Sequence, residues 1–174
     1  MGDLTHLDEE GEAKMVDVGD KETTRREATA RGFVYVEQST LETIAEGKVE
    51  KGEVAQIARI AGIDGAKKTS DLVPLCHPLF LDHVAVEIDL RPEAAAVEIR
   101  ATVRCEAQTG AEMEALSAVS TAALTVYDMC KSMDAAMSIG DIHLVEKTGG
   151  SSGDFEHPNP PGPSATHEGG ETDR

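Results

Sequence analysis

The sequence predicts an α+β fold: one antiparallel sheet with helices packed on one face. Two stretches carry most of that prediction. Residues 84–90 and 96–106 alternate apolar and polar side chains on either side of Arg91-Pro92-Glu93, the pattern of a half-buried antiparallel hairpin. Residues 111 to about 134 lack Gly and Pro and are rich in helix formers, the pattern of one long helix. The third observation is the order of elements: strand, two helices, two strands, helix, strand. That order builds two β-α-β halves on a shared sheet.

Along the chain, residues 1 to about 30 are polar and lack sustained periodicity, so an arm is expected, flexible over 1–15, with a short strand-like alternation at Met15-Val16-Asp17-Val18. The pair Arg25-Arg26 reads from residue type as solvated. Residues 31–38, RGFVYVEQ, are β-branched and aromatic and predict a strand, with Phe33 and Tyr35 on one side and Val34 and Val36 on the other. Ser39 or Thr40 then caps a short helix, with Glu42 completing a capping box and Gly47 ending it. A second helix is expected over about 53–62, where Val54, Ile57, Ala58 and Ala61 form one stripe, and Gly62 and Gly65 close it. The stretch KKTSDLVPLCHPL, residues 67–79, reads as a stiff non-helical loop, because His77 precedes Pro78. In the hairpin, Val84, Val86, Ile88, Val97, Ile99, Ala101, Val103 and Cys105 point to the core. Small residues fill the middle of the long helix, which predicts close packing. A last strand covers about 141–147, and residues 156–174 read as a disordered acidic tail. Together these elements predict a ferredoxin-like sandwich. Its second face needs cover, so oligomerisation is expected.

The chain has 174 residues, enough for one domain with a core, and a net charge of −17 that argues against nucleic acid. Two readings of that charge stay open, a high-salt cytoplasm and a plain acidic enzyme. No run approaches the roughly 18 apolar residues of a membrane span. The acidic N-terminus lacks the apolar core of a signal peptide, and His6 stands where a myristoylation motif needs Ser or Thr, so a cytoplasmic protein is expected. Cys76, Cys105 and Cys130 form no C-x-x-C pair, which fits reduced thiols and no zinc site.

Several groups could carry chemistry. Asp128 and Lys131 share a helix face; the spacing favours a plain ion pair, and the alternative is an acid/base pair with the lysine lowered by burial. His77 is either structural or displayed for function. Lys67 and Lys68 are a solvated pair or part of an anion site. Glu112 and Glu114 match the helix dipole, or edge a polar pocket with Gly110. The loop from Lys147 to Gly153 offers amides and a lysine for phosphate but is no Walker motif.

The segments THLDEEGEAKMVDVGDK, residues 24–28, KGEVAQIARIAGIDGAKKTSDLVPLCHPL, TGAEMEALSAVSTAALTVYDMCK and KTGGSSGDF resemble the MoaC family, the cyclic pyranopterin monophosphate synthases of molybdenum-cofactor biosynthesis. The resemblance runs from Thr5 to about Phe155, which it makes a single catalytic domain over residues 1–155. It implies a lyase that takes 3′,8-cyclo-7,8-dihydro-GTP, made by a radical-SAM GTP cyclase, to the pyranopterin and releases pyrophosphate. It implies a ferredoxin-like homohexamer built from dimers, with sites at subunit interfaces. Its catalytic pair matches Asp128 and Lys131. Its substrate-binding segments match Leu75, Cys76, His77, Met113 and Glu114, and Lys51, Lys67, Glu112, Arg26 and Lys147 fall in its pocket motifs. No cofactor is expected; Mg²⁺ is the alternative to Lys or Arg for the pyrophosphate charge. The chain departs at Ser151, where family members often carry lysine, and at Ser70, where they carry an aromatic. Two other classes compete: an oligomeric nucleotide- or pterin-binding module without turnover, and a metal-binding protein using Cys76 and His77.

Overall fold

The computed structural model describes residues 11–151 and 153–163. The expectations for residues 1–10 and 164–174 lie outside the described residues. The elements are β1 (Thr24–Tyr35), α1 (Gln38–Ala45), α2 (Val54–Lys67), the single turn α3 (Thr69–Leu72), β2 (His83–Arg91), β3 (Ala96–Ala107), α4 (Glu112–Cys130), β4 (Ser138–Thr148) and the short β5 (Phe155–Glu156). The sheet order is β2-β3-β1-β4-β5, and every neighbouring pair is antiparallel. The first four strands in that order are the ferredoxin-like arrangement, with β5 added at one edge.

The helices form one layer, α4 over β1, β3 and β4, and α2 over β2. Between the layers lie Ala28, Ala30 and Val34 of β1, Val97, Ile99, Ala101 and Val103 of β3, and Ala118, Val119, Ala122 and Val126 of α4. Each buried valine or isoleucine contributes roughly 1.5–3 kcal/mol. The small residues of α4 let it sit close, as the sequence predicts.

The structure moves several boundaries. β1 begins at Thr24, because β3 pairs with it along its whole length, from Thr24 opposite Ala107 to Tyr35 opposite Ala96. Sheet pairing there overrides the weak strand propensity of Arg, Glu and Ala. Arg26 consequently is not a solvated surface residue but 9% exposed. Residues 15–18 form no strand; Val16 and Val18 are half-buried against a cavity. α1 starts at Gln38, and neither Ser39 nor Thr40 caps it; the Glu37 amide donates to the Asp134 carboxylate at 2.7 Å. α2 runs through both glycines to Lys67. A Cβ on Gly65 would lie 2.4 Å from Thr121 Oγ1, and one on Gly62 would lie 3.0 Å from the Ala118 carbonyl oxygen. These glycines let α2 approach α4, and tertiary packing outweighs their low helix propensity. α4 ends at Cys130, earlier than expected, because the chain turns there to bury Asp134 as the cap for α1.

The opposite face of the sheet is polar. Glu98, 5% exposed, takes Arg91 at 2.6 Å and Arg31 and Arg100 at 3.9 Å each. Residues 156–163 lie along this face, contrary to the expectation that the ordered chain ends at 155. The His157 amide donates to the Val145 carbonyl at 2.7 Å, and Arg31 Nη2 donates to the Pro161 carbonyl at 3.0 Å. The signal is hard to see in sequence, because the segment is held through backbone atoms that composition does not report.

Candidate active site

Two clusters form at opposite ends of α4. At its start, the Leu75-Cys76-His77 loop faces Glu112, Met113 and Glu114 across a cavity of about 430 Å³. The loop is set by local bonds. The buried Thr69 hydroxyl donates to the Ala66 carbonyl at 3.0 Å, and the Cys76 amide donates to the Val73 carbonyl at 3.0 Å. Helix therefore persists through Leu72, and the chain is non-helical only from residue 73 up to β2, a shorter loop than expected.

Glu114 is 4% exposed, and burial pushes its carboxyl up to about 7. Burial, with Glu114 close by, also raises the Cys76 thiol, so it is not a thiolate near neutral pH. The Glu112 carboxylate lies against Gly110 and accepts from Lys147 Nζ at 2.7 Å. A second cavity, of about 490 Å³, adjoins through Lys21, which lines both. Glu22, Thr24, Arg26, Gly150 and Ser151 also line it. Arg26 is anchored by its Nε and Nη2 donating to the carbonyls of Ala107 and Gln108, at 3.4 and 3.3 Å. Gly150 has φ +85°, and a Cβ there would meet Arg26 Nη1 at 1.7 Å, so only glycine leaves room for the guanidinium. The Thr24 hydroxyl is buried with no hydrogen-bond partner among the described residues. Cation, hydroxyl and loop amides together suit an anion.

At the other end of α4, Lys131 Nζ meets Asp128 Oδ1 at 2.7 Å, and Lys51 Nζ meets Oδ2 at 3.1 Å. Lys51 also donates to the Asp128 carbonyl at 2.5 Å, satisfying an acceptor that the helix end leaves open. Hydrogen bonds from Lys131 and Lys51 hold the Asp128 carboxyl below the usual carboxylate range. The bond to Asp128 raises Lys131. This is the ion pair that the spacing favours and not the alternative of a lysine lowered by burial, since its side chain is 54% exposed.

Lys67 is exposed at the end of α2 and lines neither cavity, and Lys68 pairs with Asp64 at 2.8 Å. The sequence reading missed Lys21 and Thr24. Both lie inside segments that carry the family resemblance, Lys21 at the end of THLDEEGEAKMVDVGDK and Thr24 at the start of residues 24–28, but neither was singled out as a site residue. Among the described residues, no group of three or more His, Cys, Asp or Glu side chains is placed to hold a metal ion.

Residues 15–150 match the family model described as the MoaC family. The chain belongs to the MoaC family. Among its MoaC relatives, a cyclic pyranopterin monophosphate synthase of Chloroflexus aurantiacus is 56% identical over 156 residues, 90% of this chain and 96% of the relative. A cyclic pyranopterin monophosphate synthase of a Roseiflexus species is 59% identical over 155 residues, 89% of this chain and 98% of its own. One from Pelotomaculum thermopropionicum is 59% identical over 156 residues, 90% and 92% respectively. Among the described residues no helix is long and apolar enough to cross a membrane.

Proposed function

We propose that this protein is a cyclic pyranopterin monophosphate synthase, acting early in molybdenum-cofactor biosynthesis, and that two copies of the chain build each site. It converts 3′,8-cyclo-7,8-dihydro-GTP to the pyranopterin with release of pyrophosphate. Residues 1–155 are its catalytic domain, in the cytoplasm, downstream of a radical-SAM GTP cyclase. The observation that carries the two-copy reading is a distance. Glu114 and Asp128 lie about 21 Å apart along α4 at 1.5 Å per residue. One nucleotide cannot engage the Leu75-Cys76-His77 loop and the Asp128–Lys131 pair of the same copy with reacting atoms in contact. A two-fold pairing that sets the start of one α4 against the end of the other satisfies both, twice per dimer. Dimers of this kind assemble further into the hexamer.

In this reading Lys21, Arg26, Thr24 and the amides near Gly150 and Ser151 hold phosphate oxygens, and the His77 loop and Glu114 hold the base. Closing the cyclic phosphate joins a sugar hydroxyl oxygen to the α-phosphorus and breaks the bond to pyrophosphate. The hydroxyl proton goes to a carboxylate, the role this reading gives to Asp128, which its two lysines hold ionised. Lys131, held as an ammonium, meets the charge that develops on the leaving group or donates a proton. The test is incubation with the cyclised nucleotide, following pyrophosphate and pterin together. Equal amounts of both are expected, with Lys131→Ala slower by about 10²-fold or more. Absence of both products at every salt concentration would overturn the reading.

A further inference from the structure

The chain after β5 is strapped to the polar face of the sheet. The His157 amide donates to the Val145 carbonyl at 2.7 Å, the Asn159 amide donates to His157 Nδ1 at 3.2 Å, and the Pro161 carbonyl accepts from Arg31 at 3.0 Å. Gly162 sits so close that a Cβ there would lie 2.6 Å from Phe33 Cε2. Beneath this strap lies His143, 8% exposed, with its ring centroid 5.3 Å from that of His157 and edge to face. His143 Nδ1 is 2.6 Å from the Asp141 carbonyl oxygen, which can only accept, so Nδ1 carries the proton. Nε2 is left with a lone pair, buried and without a hydrogen-bond partner among the described residues.

A second proton, on Nε2, would make a buried cation with no acceptor. Every neighbouring element opposes it or is already engaged. Arg31 of β1 stands directly opposite His143, and Arg100 of β3 directly opposite Arg31, so the charge would join a row of like charges. Glu98 of β3 is shared among Arg31, Arg91 and Arg100. The Asp141 carboxylate takes the Tyr35 hydroxyl. His157, from the strap, has its Nδ1 lone pair occupied by the Asn159 amide. Burial above all, with Arg31 and His157, lowers the His143 imidazole below its ordinary 6.5, against the pull of Asp141. A seated strap therefore favours the neutral ring. Its hold is complete above pH 6.5 and weakens as pH falls toward the lowered value, by up to about ten-fold per pH unit.

Strap and anion site share one hairpin. Phe155 pairs with Lys147 and Glu156 with Glu146, and the Gly149 amide donates to Asp154 Oδ1 at 3.1 Å, so β5 is the return arm of the loop that carries Gly150. So short a strand holds weakly by itself. We propose, resting on the reading of that loop as a phosphate holder, that residues 157–163 are a proton-sensitive latch. With His143 neutral the strap seats and fixes the return arm; protonation of His143 lifts the strap and loosens the anion site.

The test is amide hydrogen exchange of the full chain, corrected for intrinsic rates, between about pH 7.5 and 5.5, with calorimetry of inorganic pyrophosphate at the upper pH. In the wild type, protection of the His157 and Asn159 amides is expected to fall by about ten-fold over that range, while the amides of β1 and β3 keep theirs. His143→Asn keeps a donor for the Asp141 carbonyl and cannot take a proton, so its strap is expected to stay protected throughout. His143→Arg, a permanent cation, is expected to lose strap protection at both pH values and to bind pyrophosphate several-fold more weakly, with His143→Asn matching the wild type. If strap protection is flat in the wild type, or falls in parallel in His143→Asn, the latch is overturned. Should His143→Arg also lose protection in β1 and β3, the wild type against His143→Asn decides. A free strap in His143→Arg with unchanged pyrophosphate affinity would overturn the link to the anion site. A wild type that binds no pyrophosphate would instead overturn the phosphate reading of the loop.

Discussion

Asp128 accepts from two ammonium groups at once, Lys131 at 2.7 Å and Lys51 at 3.1 Å. The carboxylate stays ionised and Lys131 stays charged across the physiological range. Spacing revealed the first contact, since an i,i+3 pair on a helix meets with no help from the rest of the fold. Lys51 arrives from 77 positions away, which spacing does not reach; only the family resemblance pointed to it. Glu114 was named from the sequence, but its protonation was not, because burial is a tertiary property. Its carboxyl stands at about 7 in the fold against an ordinary 4.5. A raised carboxyl pKa disfavours folding as pH climbs: the unfolded chain ionises first, and the cost grows from pH 4.5 until the folded group ionises near 7. Glu114→Gln, a neutral mimic, is therefore expected to match the wild type near pH 4.5 and to exceed it by about 3 kcal/mol at pH 8. Denaturant midpoints at equal protein concentration measure this, and parallel curves across that range would contradict it. In the second cavity, Gly150→Ala is expected to displace the Arg26 guanidinium and weaken pyrophosphate binding by about ten-fold, the loss of one charge-assisted contact. Calorimetry with inorganic pyrophosphate reads it; an unchanged affinity would remove Arg26 from the anion site.

α2 shows how an element can be clear in its middle and misread at its ends. The stripe of Val54, Ile57, Ala58 and Ala61 announced the helix; Val54 and Ala58 are buried and Ala61 half-buried, but Ile57 is 42% exposed. Gly62 and Gly65 looked like stop signals because glycine is a poor helix former. They are contact points, and nothing local distinguishes a glycine that ends a helix from one pressed against a neighbour. Gly65→Ala tests this. A Cβ at Gly65 would meet Thr121 Oγ1 at 2.4 Å, and that hydroxyl is tied to the Ser117 carbonyl at 2.8 Å, so it has little freedom to yield. The substitution is expected to destabilise by about 1–3 kcal/mol despite alanine's better helix propensity. Pairing it with Thr121→Ala is expected to recover only part of the loss, because the Thr121 Cβ would itself lie 2.7 Å from the added Cβ, and thermal melts of both singles and the double would read that coupling. Equal stability of Gly65→Ala and wild type would mean the helices can part without cost. The hairpin of β2 and β3 was clear throughout, because strict alternation on both strands fixes register and facing together.

For the whole molecule, the sequence order of elements was enough to place the sheet, since two β-α-β halves leave few ways to pair four strands. Its charge bounded the partners. The predicted helix over 111 to about 134 already set Glu112 and Glu114 at its start and Asp128 and Lys131 towards its end, and the structure keeps α4 continuous from Glu112 to Cys130. What the sequence did not show was how the Leu75-Cys76-His77 loop comes to face the start of that helix, which depends on tertiary packing. On the proposed two-copy reading the site belongs to the assembly, and that reading is tested by restoring function from two inactive chains. His77→Ala damages the binding half, and Lys131→Ala damages the catalytic half. Each alone is expected to release almost no pyrophosphate from the cyclised nucleotide. Co-expressed, they are expected to recover about a quarter of wild-type turnover per chain, because random pairing leaves one intact composite site in half of the dimers. Recovery no greater than the sum of the two single variants would contradict a site shared between copies.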